Sequence, residues 1–330
     1  MQLNMITSIL AGLALSSSAA FCGNPVQEEA PKQWAVVELS SNFMREEPDY
    51  ESGNGTQALM GTVVEVVDTD RYWKKIISPD PYTAWANELG LAMMDEAQKD
   101  EYIAAAKWIC TVEYSHIYAE PDAGSMRISD FNMGDLVRKA GELPGGPDGS
   151  WYRVLLPSGR AGWVPASDIM DFRKWTRTRR LTAENILDLA VKFNGVPYMW
   201  GGNTVKYFDC SGLTRFVFFM NGVLIPRNAS QQAFVGEEIP VDFDRMQPGD
   251  LLFFGQKATA DKPLKASHVA IYMGNKRIIQ ASQVVRMNSL DPADPDFYDR
   301  EIISVRRIIG HVDDGTGAIS IKSSPWYFKQ

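Results

Sequence analysis

The chain has 330 residues, 45% of them hydrophobic and 22% charged, which is the composition of a folded globular protein and excludes a disordered one. Its net charge of −8 argues against nucleic acid as a partner, because phosphate binding requires clustered cationic surface. No apolar run reaches the roughly 18 residues of a membrane span, and three cysteines are too few for a disulfide scaffold, so we expect neither a transmembrane segment nor a disulfide-rich fold.

The first 20 residues have the pattern of an export signal. Residues 5–20 form a short apolar run that ends in small residues, and Ser18 and Ala20 fit a signal-peptidase site before Phe21. We expect residues 1–20 to be removed as a signal peptide, with the protein in the periplasm or cell envelope. Lipidation at Cys22 is the alternative, and it is disfavoured because Phe21 stands where a small residue should precede the lipidated cysteine.

Residues 33–172 contain a degenerate repeat. Pro48 and Gly61 are as far apart as Pro121 and Gly134. Two tryptophans follow each pair, and the distance from Trp73 to Trp85 equals the distance from Trp151 to Trp163. Short β-rich runs lie between these marks, split by Gly, Pro and Asp turns. The string GWVP at 162–165 resembles the last strand of a bacterial SH3-like domain. The pattern predicts two small SH3-like β-barrels, at 33–107 and 108–172, with a helix-prone stretch ending the first.

The next segment, residues 171–180 (DFRKWTRTRR), is strongly basic. In an acidic chain such a run is typical of a solvated segment, so we assign residues 173–180 to a basic linker that packs between domains. A membrane or nucleic-acid role is the weaker interpretation.

Residues 181–325 predict an α+β domain. Apolar residues at helical spacing indicate a helix that stops at Asn194, and a second helix follows Asp209 and closes at Asn221. Strands are predicted at 251–254, 268–273 and 277–281, the last two joined by a turn at Gly274-Asn275. Helices followed by a run of strands is the order of an α+β fold.

Cys210 is the most informative residue of this domain. Asp209 is a good N-cap, which makes Cys210 the first residue of a helix, where the helix dipole favours the nucleophilic thiolate. His268 begins a strand, and a histidine beside such a cysteine would act as general base and then as general acid. The hairpin returns Gln280 toward His268, where its amide oxygen could accept the imidazole N–H. Taken alone, the cysteine and the histidine each fit a purely structural role better.

Five ordered motifs make the catalytic interpretation of Cys210 and His268 the stronger one. They are PYMWGG at 197–202, FDCSGL at 208–213, PRNASQQ at 226–232, PGDL at 248–251 and SHVAIYMG at 267–274. In this order they closely resemble the NlpC/P60 family of bacterial cell-wall cysteine peptidases. The resemblance covers about residues 181–309, and the two SH3-like copies resemble the targeting domains that precede the peptidase in many members. It implies a papain-like α+β core and hydrolysis of a γ-D-glutamyl bond to a diamino acid in peptidoglycan peptides.

The resemblance assigns roles by position. Cys210 is the nucleophile and His268 the base. The family's third residue is usually a histidine in an H-A-S string, which here reads Gln280-Ala281-Ser282, so a neutral amide would orient the imidazole. Tyr198 matches the family tyrosine beside the thiol and could assist the oxyanion or the substrate, with a core aromatic as the alternative. No metal-ligand spacing is present, and we expect neither a metal nor another cofactor.

Members with two SH3-like domains can act on released peptides that carry a free N-terminal L-Ala, whose ammonium is held by acidic and tyrosine side chains. Here Asp209 and Ser211 flank the nucleophile and are candidates for that contact. Arg227 is a candidate for a substrate carboxylate, and a structural ion pair is an equally good interpretation.

The first repeat copy supplies two further candidates. They are Tyr82 and Glu47, with Glu46 as the less favoured choice. Because Glu47-Pro48 matches Glu120-Pro121, Glu47 could equally belong to a turn of the barrel itself.

The sequence therefore predicts an exported γ-D-glutamyl-L-diamino acid endopeptidase, a monomer that binds peptidoglycan-derived peptides and trims or recycles them. Two alternatives stay open. Acyl transfer on the same thiol fold would need an apolar acyl channel, which the sequence does not show. A wall-binding adaptor with a decayed catalytic domain is favoured only by Gln280 and is opposed by intact Cys210 and His268.

Overall fold

The computed structural model describes residues 32–141, 144–146 and 149–329. The predicted signal peptide (1–20) and Cys22 lie outside the described residues. From residue 32 onward the chain forms one compact unit with three parts, a first β domain, a second β domain and a C-terminal domain of helices and strands. The predicted α+β class, with two small β domains ahead of the larger one, is confirmed.

The first β domain is a seven-stranded antiparallel sheet followed by a helix. Its strands are β1 (Gln33–Val37), β2 (Asn42–Arg45), β3 (Asn54–Ala58), β4 (Val63–Asp70), β5 (Trp73–Ile77), β6 (Thr83–Asn87) and β7 (Leu91–Met94). They pair in the order β3-β2-β6-β5-β4-β1-β7. Helix α1 (Glu96–Ala104) follows, and Asp95 and Gln98 form a capping box at its start.

The second β domain repeats this topology. Its strands are β8 (Lys107–Cys110), β9 (Tyr114–Tyr118), β10 (Arg127–Asn132), β11 (Leu136–Lys139), β12 (Trp151–Leu155), β13 (Ala161–Pro165) and β14 (Ile169–Asp171). Their order, β10-β9-β13-β12-β11-β8-β14, is that of the first sheet with each strand number raised by seven. The degenerate repeat in the sequence is therefore a structural duplication.

The basic run after β14, predicted as a solvated linker that packs between domains, forms a helix, α2 (Phe172–Thr178). Asp171 caps it by accepting a hydrogen bond from the backbone N–H of Lys174 (2.8 Å). Phe172 and Trp175, three residues apart, are almost completely buried, while the basic side chains between and after them are exposed. An apolar pair at helical spacing anchors the segment, which makes α2 the counterpart of α1.

The C-terminal domain is built around a six-stranded antiparallel sheet. Its helices are α3 (Ala183–Lys192), α4 (Cys210–Met220) and α5 (Ala229–Gln232). Its strands are β15 (Asn203–Thr204), β16 (Tyr207–Phe208), β17 (Val223–Leu224), β18 (Glu237–Ile239), β19 (Leu251–Gln256), β20 (Lys265–Gly274), β21 (Arg277–Ser282), β22 (Val284–Ser289), β23 (Ile302–Arg307) and β24 (Ile319–Ser320). The main sheet has the order β18-β23-β19-β20-β21-β22. No helix in the described part of the chain has the length and apolar character to cross a membrane.

Helix α4 is the centre of the largest apolar core. All eleven of its residues are buried. Its core cluster extends into both β domains through Leu59 and Leu136, and into α2 through Trp175. Because these side chains pack in one cluster, the β domains are part of the scaffold that holds α4.

Candidate active site

The start of α4 positions Cys210. Asp209 has an extended backbone, and its Oδ1 accepts a hydrogen bond from the backbone N–H of Gly212 (2.7 Å), so it caps the helix as predicted. Position 212 must be glycine because a Cβ there would lie 1.9 Å from the carbonyl oxygen of Gly202. The D-C-S-G string therefore combines a cap, a thiol and a close backbone contact.

The thiol of Cys210 is neutral in the resting protein. Burial raises its pKa to about 11, and the neighbouring Asp209 carboxylate acts in the same direction. Hydrogen bonds from the backbone N–H groups of Val269 and Ser211 oppose the shift and are outweighed. The helix dipole was expected to favour a thiolate, but burial dominates, so the thiol must lose its proton during the reaction.

His268 lies on β20, one residue before Val269, whose N–H contacts the sulfur. Its Nε2 is 2.5 Å from Oε1 of Gln280 on β21. The two strands are joined by a tight turn in which Asn275 and Lys276 have positive φ angles of 49° and 55°. Burial lowers the pKa of His268, so the imidazole is neutral at neutral pH. Since an amide oxygen can only accept, Nε2 carries the proton and Nδ1 is the basic nitrogen.

Gln280 is in turn held by a residue that sequence reasoning missed. Its Nε2 donates to Oδ1 of Asn288 (2.9 Å), whose Nδ2 donates to the backbone carbonyl of Asp296 (2.9 Å). Asn288 lies on β22 and pairs with Ile278 of β21. Only the register of that hairpin places it beside Gln280, and no motif in the sequence marks it.

Two tyrosines flank Cys210 and His268, and only one of them was predicted. Burial and the negative charge of an ionised Cys210 together raise the pKa of the half-buried Tyr198 to about 12. The side chain packs against the main apolar core, and its hydroxyl forms no hydrogen bond with any residue that the structure describes. Tyr298, the second, has its ring centroid 5.8 Å from that of His268.

Arg227 is a buried partner in an ion pair with Asp209. Only 1% of it is exposed. Its Nη1 and Nη2 donate to Oδ1 (3.0 Å) and Oδ2 (2.5 Å) of Asp209, and Nη1 also donates to Oγ of Ser211 (2.9 Å). Its Nε donates to Oγ1 of Thr56 on β3 (2.6 Å). The structural interpretation of Arg227 is therefore correct, and the pair ties the first β domain to the cap of α4.

This ion pair changes what Asp209 and Ser211 can offer a ligand. Asp209 also accepts a hydrogen bond from the backbone N–H of Gly201 (2.9 Å), and Ser211 donates to it (3.3 Å). The charge of Asp209 is thus compensated by Arg227 before any substrate arrives. No group of three or more His, Cys, Asp and Glu side chains within residues 32–141, 144–146 and 149–329 could hold a metal ion.

From the first β domain, Tyr82 and Glu46 reach this region. The Tyr82 hydroxyl lies against β3, 2.6 Å from where a Cβ on Gly55 would stand. Burial raises the pKa of Tyr82. The charges that act on it are those of Arg227, Glu46, Asp209 and Asp80. Tyr82 therefore lies beside the capped start of α4, together with Glu46.

Glu47 belongs to a turn of the barrel. Its backbone N–H donates to Oγ of Ser52 (2.9 Å), and its carbonyl accepts from the N–H of Asp49 (2.8 Å). Glu120 makes the same two bonds in the second domain, with Ser125 and Asp122. Glu46, and not Glu47, is the glutamate whose charge acts on Tyr82, which makes Glu46 the stronger candidate for a contact beside that hydroxyl.

Comparison with known proteins agrees with this geometry. Residues 195–307 match the NlpC/P60 family, and the Gamma-D-glutamyl-L-lysine dipeptidyl-peptidase of Bacillus cereus is 28% identical over 77% of this chain and 75% of its own. Residues 195–307 are therefore an NlpC/P60 domain. Dipeptidyl-peptidase 6 of Lysinibacillus sphaericus is 26% identical over 83% of this chain and 97% of its own. The crystal structure of an NlpC/P60 family protein from Bacillus cereus, 24% identical, has the same fold, with a TM-score of 0.69 over 84% of this chain and 99% of that one. The predicted class of enzyme, a cysteine peptidase, is confirmed.

The lowered pKa of His268 predicts how the activity of this cysteine peptidase falls at acid pH. Burial lowers the pKa of His268 below 6.5, so the basic form persists as pH falls and is lost only below that value. We expect kcat/KM to fall with a midpoint below 6.5, measured with a peptide substrate between about pH 4 and about pH 9. Gln280→Glu should move the midpoint up, because a carboxylate stabilises imidazolium. A midpoint above 6.5 in the wild-type enzyme would contradict the burial effect.

Proposed function

We propose that the protein hydrolyses the γ-D-glutamyl–L-diamino acid bond of peptidoglycan stem peptides. Its relatives named Gamma-D-glutamyl-L-lysine dipeptidyl-peptidase and Dipeptidyl-peptidase 6 align over 77% and 83% of this chain. The family match at 195–307 accounts for only about a third of the chain, so both alignments extend into the β domains. The sequence similarity to these two relatives therefore includes the β domains as well as the domain that carries Cys210.

The proposed reaction follows from the positions of the side chains. Nδ1 of His268 takes the thiol proton as Sγ of Cys210 attacks the γ-carbonyl carbon of D-Glu. The same imidazole then protonates the amine of the leaving diamino acid, and water hydrolyses the remaining thioester. Tyr198 stays a neutral hydroxyl, because its pKa is raised to about 12, and can donate a hydrogen bond to the oxyanion or the substrate.

We further propose that the substrate carries a free N-terminal L-Ala. The observation that supports this is the charge balance around Tyr82. Asp209 is paired with Arg227, and Asp80 is paired with Arg215 (2.9 Å). Glu46 has no ion-pair partner among the described residues. One uncompensated carboxylate beside a tyrosine hydroxyl is a suitable receptor for an ammonium group.

We expect the enzyme to cleave L-Ala-γ-D-Glu-L-Lys at least about a hundredfold faster, in kcat/KM, than the N-acetylated peptide. The acetyl group removes the charge that would pair with Glu46 and adds volume at that end. Release of L-Ala-D-Glu, followed by mass spectrometry, measures both rates.

The neighbouring glutamates provide a matched control. Glu46→Gln should reduce the preference for the free amine, whereas Glu47→Gln should leave it unchanged because that residue lies in the turn. Equal rates on both peptides would instead indicate an open cleft that accepts intact wall. Discrimination that survives Glu46→Gln and Tyr82→Phe would move the ammonium contact to Asp209.

We also propose that the protein works outside the cytoplasm, on wall peptides that are trimmed or recycled. The support is the apolar run at residues 5–20 with its small residues before Phe21. Mass spectrometry of the protein from its native envelope should find an N-terminus at Phe21. A lipid-modified Cys22 would favour anchoring instead.

A further inference from the structure

Asn288 sets the direction of the hydrogen-bond chain that ends at the catalytic imidazole. The chain runs from the backbone carbonyl of Asp296 through Nδ2 and Oδ1 of Asn288, then through Nε2 and Oε1 of Gln280, to Nε2 of His268. Its three distances are 2.9, 2.9 and 2.5 Å. Asn288 and Gln280 are 7% and 0% exposed, so little solvent reaches them.

The donor-to-acceptor order of these hydrogen bonds is fixed by the backbone carbonyl of Asp296. A backbone carbonyl can only accept, so Asn288 must present its NH₂ group to Asp296 and its oxygen to Gln280. Gln280 must then present its NH₂ group to Asn288 and its oxygen to His268. Two further contacts hold Asp296 in place. Its backbone carbonyl also accepts a hydrogen bond from the N–H of Ser289 (3.2 Å). Its carboxylate accepts two hydrogen bonds from the guanidinium of Arg277 (2.9 and 3.2 Å).

We propose that Asn288 is a positioning residue that fixes the tautomer of His268 by preventing the Gln280 amide from turning over. A reversed Gln280 would present NH₂ to Nε2, the proton would move to Nδ1, and the imidazole could no longer accept the thiol proton. A glutamine needs such a partner because one end of its amide donates and the other accepts, whereas a carboxylate at position 280 could accept through either oxygen. The kinetic consequence rests on the proposed function, but the tautomer does not.

The test uses Asn288→Ala in the full-length protein, with and without Gln280→Glu. Asn288→Ala should lower kcat by about ten- to a hundredfold with little change in KM, as loss of an orienting hydrogen bond does. In the Gln280→Glu background the same substitution should cost far less, because both carboxylate oxygens accept. Asn288→Asp keeps an acceptor toward Gln280 and should retain more activity than Asn288→Ala, although the carboxylate it sets against the Asp296 carbonyl should lower the melting temperature.

Asn221→Ala is the matched control for a lost buried amide. Asn221 is also 7% exposed, and its Nδ2 donates to the carbonyl of Val217 (2.9 Å) at the far end of α4. Both alanine variants should lower the melting temperature, but only Asn288→Ala should slow the reaction and be rescued by Gln280→Glu. An equal rate loss for Asn288→Ala in both backgrounds, or none in either, would overturn the proposal.

A second measurement is independent of the substrate. The chain has three histidines, so long-range ¹H–¹⁵N correlation spectra can be assigned with His268→Ala. Wild type and Asn288→Asp should show His268 protonated at Nε2, and Asn288→Ala should show a mixture of tautomers. An unchanged Nε2–H tautomer in Asn288→Ala would overturn the positioning role, even if no peptide tested proved to be a substrate.

Discussion

Cys210→Ala should abolish peptide hydrolysis, with a loss in kcat of about 10⁴-fold or more, because it removes the proposed nucleophile. The fold should tolerate the change, since alanine keeps the small apolar volume at a position that is 9% exposed. Turnover of L-Ala-γ-D-Glu-L-Lys and the thermal unfolding midpoint are the two measurements.

Cys110→Ala is the control for this substitution. Cys110 is the other free, buried cysteine of the described chain, and its thiol contacts carbonyls of the second β domain at Val112 and Phe131. Its removal should leave kcat unchanged. His268→Ala should lose about 10²- to 10⁴-fold through the missing base. Wild-type turnover by Cys210→Ala would exclude this residue as nucleophile.

The parts of the site that sequence reasoning identified are those fixed by local structure. Asp209 and Cys210 are adjacent, so an N-cap and a first helical residue follow from the sequence alone. Gln280 meets His268 because a tight hairpin with positive φ at Asn275 and Lys276 sets the register between their strands. The duplicated topology follows from matched turns, of which those at Glu47 and Glu120 keep the same hydrogen bonds.

The parts that it missed depend on contacts between distant segments. Arg227 is a structural residue because it pairs with Asp209, 18 positions away, and donates to Thr56 in another domain. The neutral state of Cys210 results from burial, which no neighbouring residue reveals. Positions 46 and 47 are both glutamate, so the sequence could not show that the charge of Glu46 is the one that acts on Tyr82.

In the α2 segment, the basic composition predicted exposed charges but did not predict the helix. Its basic residues indicated solvent exposure, and they are exposed. The two aromatic residues between them, Phe172 and Trp175, carry the contacts that order the segment. A pair of large apolar side chains at helical spacing is therefore a stronger indicator of structure than net charge in a short run.

Arg227→Met should lower the free energy of unfolding by about 3–5 kcal/mol, the cost of leaving one member of a buried ion pair without its partner. Arg227 is 1% and Asp209 is 6% exposed, so solvent cannot replace the guanidinium. The substitution also removes the hydrogen bond to Thr56, which loosens the first β domain from the start of α4. Denaturant unfolding, compared with wild type at equal slope, measures the loss.

Two further variants separate the buried charge from other effects. Lys257→Met breaks an exposed pair with Glu301 (2.5 Å) and should cost less than about 1 kcal/mol. Asp209→Asn combined with Arg227→Met should recover much of the stability, because asparagine still caps the helix through Gly212 and leaves no buried charge. If Arg227→Met cost no more than Lys257→Met, the ion pair would not hold the cap of α4. If the double variant were no more stable than Arg227→Met alone, the lost contact with Thr56, and not the unpaired Asp209, would account for the destabilisation.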